Sequence, residues 1–192
     1  MQQTITDALA ITLDDEYRAR ATYRAVLDKF GSVPPFINII EAEERHIMAL
    51  LALHSAYGVI PPVDRWINQV AIPDTLAACC QAGIDAEISN YALYDNFLTW
   101  VQPPDIRQVF INLRDASEFN HLPAFQHCLE RAQRSNATIT SNGASMGLGT
   151  GSTNSLAQGM QGAQKNNATL WMLGGLLTGA ALIYYMQRSK VI

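Results

Sequence analysis

Four stretches of this chain carry apolar residues at helical spacing, and each of the four stripes contains a glutamate. The first stripe runs Leu9, Leu13, Glu16, Arg20, Tyr23, Leu27 and Phe30, and the second Phe36, Ile39, Glu43, His46, Leu50, Leu53 and Tyr57. The third runs Leu76, Cys80, Gly83, Glu87, Tyr91, Tyr94 and Leu98, and the fourth Ile111, Arg114, Glu118, His121, Phe125 and Cys128. A buried carboxylate without a partner costs several kcal/mol or gives up its charge. One such residue is ordinarily a helix edge or half of an ion pair. Four of them, one per helix, restrict the chain to folds that gather them around something positive.

The breaks between the stripes say how the helices connect. Helices are expected over about 5–30, 35–57, 74–101 and 105–133. "GSVPP" at 31–35 and "QPPD" at 102–105 are tight, so each flanking pair is an antiparallel hairpin. The segment 58–74, "GVIPPVDRWINQVAIPD", joins the hairpins. Fully extended it reaches roughly 55 Å, enough to run the length of a helix. Two hairpins with one long crossover give an all-α four-helix bundle that is not of the up-down-up-down kind.

The glutamates match one another in level, being placed nearly symmetrically about their hairpin turns. The second helix of each hairpin adds a histidine one turn on, as Glu43-x-x-His46 and Glu118-x-x-His121. Residues three apart on a helix share a face, so each pair can serve one site. With seven Glu and four His in the chain, two such pairs arise by chance in about one chain per hundred. Four converging carboxylates repel unless protonated, and two divalent cations cancel their charge. Two imidazoles complete a nitrogen- and oxygen-donor shell that suits iron or manganese and could also hold zinc.

One Glu on each of two helices, with Glu-x-x-His on the other two, resembles the ligand set of ferritin-like diiron-carboxylate proteins. The resemblance covers residues 1 to about 133. "DDEYRARATYRAVLDKFGSVPPFINIIEAEERHI" and "DASEFNHLPAFQHC" are especially similar to small rubrerythrin-like bacterial domains, many without an assigned function. It implies a ferritin-like four-helix bundle with Glu16, Glu43, His46, Glu87, Glu118 and His121 as ligands of two iron ions. It also implies oxidation of Fe(II) with O2 or peroxide, and leaves a homo-oligomer open. Two features depart from the peroxide-reducing relatives: Asn90 stands where they carry an extra carboxylate, and no rubredoxin-type CxxC pair is present. Ala42 and Ser117 replace acidic residues that precede the Glu of Glu-x-x-His in several relatives, so the imidazoles must be oriented by tyrosines, carbonyls or water.

Composition bounds the remainder. A net charge of −4 without a basic block excludes nucleic acid as an expected partner. Cys79, Cys80 and Cys128 form no CxxC, and their odd number fits free thiols in a reducing compartment. Residues 1–134 hold almost all the charge; 135–167, rich in Gly, Ser, Asn, Thr and Gln, read as a flexible linker. Residues 168–192 begin with the uncharged run Ala168 to Met186, which as a helix spans about 28 Å, near the thickness of a bilayer's hydrocarbon core. Trp171, Tyr184 and Tyr185 sit where interfacial aromatics belong. The expectation is a transmembrane helix anchoring a cytoplasmic bundle, docking on a protein assembly being the alternative; the acidic N-terminus has no signal-peptide pattern.

The function expected is therefore that of a diiron oxidoreductase of ferroxidase or peroxidase type. An iron-binding or delivery module tethered to a membrane or compartment, and an inert metal-stabilised bundle, are the alternatives. Tyr23 and Tyr91 read first as core tyrosines and second as partners of ligands. His54 and His127 fall off the ligand phase, and Arg20 and Arg114 suit a helix boundary. Pro123 should kink the fourth helix beside the site.

Overall fold

The computed structural model describes residues 3–145, and within them the chain is helical without strands. Helix α1 spans Ile5–Phe30, α2 Phe36–Ala56, α3 Leu76–Leu98 and α4 Pro104–Ala116; a π-helical turn, Ser117–His121, leads into α5, Leu122–Ser145. With α4, the π turn and α5 contiguous, they make one fourth rod and complete a helical bundle. Helix α5 runs to Ser145, into the segment expected as linker from 135 onward; extending a formed helix needs only one further hydrogen bond per residue fixed. The remainder of that linker and the apolar run 168–186 lie outside the described residues. No helix among the described residues is long and apolar enough to cross a membrane.

Local chemistry sets the ends. Thr4 and Asp7 cap α1 reciprocally, and Thr75 accepts from the Ala78 N–H to start α3. Gly31, at φ 81°, closes α1 with its N–H on Leu27 O at 2.8 Å. The crossover is pinned to α1 by Asp14, which accepts from Arg65 at 2.8 Å and from Trp66 Nε1 at 3.1 Å. Arg20 pairs with Asp64 of the same crossover and with Glu44, not with the core glutamates. Arg114 likewise pairs with Asp95 and Asp115.

Two apolar clusters make the core. One holds Leu9, Leu13, Leu50, Tyr94, Phe97 and Phe110; the other holds Tyr23, Phe36, Ile39, Cys80, Ile84 and Phe125. Along every helix the expected glutamate or histidine falls between them, so a polar layer divides the core in two.

Two expectations are corrected. Cys80 and Cys128 are joined by a disulfide with Cα atoms 5.8 Å apart, and Cys79 alone is a free, buried thiol. Sequence separation hid the pairing, because antiparallel packing of α3 on α5 brings residues 48 apart together. The stripe of the fourth helix is also displaced: through α4 and into the first residue of the π turn the buried residues are Ile106, Phe110, Leu113 and Ser117, not Ile111, Arg114 and Glu118. A π turn inserts an extra residue, which moves the upstream face by one position. Within the turn Leu122 N–H reaches Ser117 O, five residues back, and Pro123 next to it has no N–H to bond the carbonyl four residues back.

Candidate metal centre

The polar layer contains two groups of donor atoms, each within 4.8 Å of one another: Glu16, Glu43 and His46, and Glu43, Glu87 and His121. Glu43 belongs to both. Its Oε2 lies 3.0 Å from His46 Nδ1, and its Oε1 lies 3.5 Å from His121 Nδ1. The same His46 nitrogen is 3.3 Å from Glu16 Oε2, and the His121 nitrogen is 3.5 Å from Glu87 Oε1. The two imidazoles stack with centroids 5.6 Å apart. Five of the six expected residues are thus brought together. Glu118 is half-buried and joins neither group, because the π turn gives its place on the inner face to Ser117.

Burial makes this layer electrostatically costly. Glu16, Glu43 and Glu87 are 2%, 2% and 1% exposed, so water does little to separate their charges. Burial pushes the Glu43 carboxyl well above its ordinary value, and the charge of Glu16 pushes it further. Burial also pushes Glu16 upward, but hydrogen bonds from Glu43, His46 and Tyr94 overcome it and hold Glu16 down to about 2. Of this pair, Glu43 is thus shifted toward its protonated form and Glu16 toward its ionised form.

Two tyrosines complete the layer. Tyr94 donates to Glu16 Oε1 at 2.6 Å, and Tyr23 donates to Glu87 Oε1 at 2.8 Å. Tyr94 lay on the third stripe without being singled out, and Tyr23 takes the role of a ligand's partner; both hold carboxylates, whereas the expected need was for groups that orient the imidazoles. Tyr91 is half-buried. His54 is off the site as expected but is buried, its ring nitrogens 3.1 Å from Leu9 O and 3.2 Å from Val59 O. A cavity of about 310 Å³, lined by Asp15, Tyr23, Gly83 and Asn90 among others, reaches between α1 and α3 beside the layer.

The donor set can be tested against a metal without one present. Glu87 Oε2 is buried and accepts no hydrogen bond among the described residues. An orphaned buried carboxylate oxygen costs more than a lost hydrogen bond, since the group has shed its water without compensation. A cation in the Glu43–Glu87–His121 group would satisfy it. The five residues fit two cations that share Glu43.

No family model matches the chain, and no curated protein matches it. Among solved structures, the crystal structure of the hypothetical protein MJ0754 from Methanococcus jannaschii DSM 2661 is similar, with a TM-score of 0.60 and 23% identity over 68% of this chain and 85% of that one. At that identity the likeness extends to the fold alone.

Proposed function

We propose that the chain is a ferritin-like protein whose core holds two iron ions and oxidises Fe(II) with O2 or peroxide. The observation that carries this reading is Glu43, which turns one carboxylate oxygen toward each histidine, as a ligand shared by two cations must. Glu16 and His46 would complete one position, Glu87 and His121 the other. Glu118 is the sixth ligand implied by the family resemblance, and it stands nearest to His121 in sequence. Bound iron would supply electron transfer to a small oxidant, which none of these side chains can perform. The protein's own part is to hold the carboxylates by Tyr23 and Tyr94 and to exclude water with apolar clusters on either side. Manganese or zinc suits the same donors.

A second reading, reversible holding and delivery of iron, draws on Asn90. It is 7% exposed and lines the cavity where peroxide-reducing relatives carry a carboxylate. The apolar run 168–186 is proposed to tether the protein to a membrane with the bundle in the cytoplasm. Detergent-dependent, salt-resistant release from a membrane fraction tests that tether.

The deciding experiment measures metal per chain and near-ultraviolet absorption after anaerobic Fe(II) loading and addition of O2 or peroxide. Two irons per chain, absorption that develops with oxidant, and loss of both in Glu43→Ala support the oxidoreductase. Two irons that stay ferrous support delivery. A folded chain that takes up no iron overturns both.

A further inference from the structure

Three of the contacts between α3 and the rod that packs on it form one ladder. Cys80 is bonded to Cys128, Gly83 abuts Phe125, and Glu87 lies 3.5 Å from His121. Each pair is centred on Pro104, at the turn between the two helices, so the three are rungs of a single antiparallel register. The middle rung is tight: a Cβ on Gly83 would meet Phe125 ring carbons at 2.6–2.8 Å. At that contact a displacement of one helix is passed directly to the other, since the Gly83 backbone and the Phe125 ring touch without a gap. Phe125 also packs on Tyr23 with ring centroids 5.4 Å apart, and Tyr23 donates to Glu87. Two routes from the disulfide thus end on the same carboxylate. No disulfide links α1 to α2, which supply Glu16 and His46.

We propose that the Cys80–Cys128 bond is a positioning crosslink for one half of the metal centre. It holds Glu87 against His121, so the Glu43–Glu87–His121 position binds a divalent cation more tightly in the disulfide form than in the dithiol form. The Glu16–Glu43–His46 position is nearly indifferent to it. Two thiols cannot sit as close as two bonded sulfurs, so reduction loosens the outer rung and the register with it. Reduction by a dithiol breaks the S–S bond, leaves a proton on each Sγ, and converts the dithiol to its own disulfide. Linkage makes the effect reciprocal: a cation at that position resists reduction of the bond by the same factor. The inference rests on the two-cation reading above.

The test titrates the full chain with Zn(II) against a chromophoric chelator, anaerobically. It compares the oxidised protein, the dithiothreitol-reduced protein after removal of reductant, and Cys80→Ser/Cys128→Ser, which lacks both the bond and its two thiols. Two zinc ions bind the oxidised protein; reduction and double substitution each weaken one position at least tenfold and change the other less than threefold. Zinc in turn shifts the thiol–disulfide equilibrium by the same factor, where tenfold corresponds to about 30 mV, a response that a merely structural crosslink does not give. Equal weakening of both positions, or none, overturns the proposal while leaving the metal centre standing. Failure of the oxidised protein to bind zinc overturns the centre itself. Should the double variant lose its helical circular dichroism, Cys80→Ala/Cys128→Ala, likewise without thiols at the two positions, carries the comparison.

Discussion

The surroundings of Glu43 penalise its charge twice, by burial and by the neighbouring Glu16, and so push its carboxyl well above the ordinary value. In the unfolded chain its carboxyl titrates near the ordinary 4.5, and in the folded chain well above it. Below 4.5 both states hold the proton and Glu43 contributes no pH dependence. Above 4.5 the unfolded chain ionises first, so this residue destabilises the folded state progressively until pH passes its raised pKa. Glu16 acts oppositely: its stabilisation is present above 4.5 and is lost as pH falls to about 2. The metal-free protein is therefore expected to lose melting temperature as pH rises above 4.5, and Glu43→Gln to flatten that slope in a thermal scan. A cation must displace the same proton, so zinc affinity should rise by up to about tenfold per pH unit below that pKa. Tyr94→Phe removes the donor to a fully buried Glu16 oxygen and should cost about 1–3 kcal/mol in urea unfolding of the metal-free protein. This pairing was not legible in the sequence, since a tyrosine on an apolar stripe gives no sign of which carboxylate its hydroxyl meets across the bundle.

The π turn explains, at the level of the element, why Glu118 and His121 part company. Three residues apart on an α-helix, they would share a face; on a widened turn they spread around the axis, and Ser117 takes the inward place. Helix type, the first three spans and the connections were legible because periodicity and Pro-containing turns encode them locally, whereas the last helix runs on to Ser145. The phase shift was not, although Pro123 was its local signal. His121→Ala should remove one of the two bound cations, whereas Glu118→Ala should leave both bound and weaken affinity less; metal analysis after dialysis separates the two. Gly83 sets two effects against each other. Alanine in a helix is ordinarily worth about 0.5–1 kcal/mol over glycine. Here its Cβ would drive into the Phe125 ring, and overpacking of that kind costs about 1–3 kcal/mol. The second effect is the larger, so Gly83→Ala should lower the unfolding midpoint.

For the whole molecule, the polar layer is a seam between two apolar clusters. Without cations the seam opposes folding, because it buries carboxylates that repel and leaves Glu87 Oε2 without a partner among the described residues. Cations at the two proposed positions would reverse its sign, since they would bind the assembled layer and not the unfolded chain, whose ligands lie on four separate helices. Free metal at a hundredfold excess over Kd adds about 2.7 kcal/mol per site. In a chain of this size each kcal/mol raises Tm by about 2–4 °C, so one occupied position should raise it by roughly 5–10 °C. The rise should vanish with chelator. In Glu43→Gln it should be absent for both positions at once, because one carboxylate serves both; a variant that loses only half the rise would show two independent sites with no shared ligand.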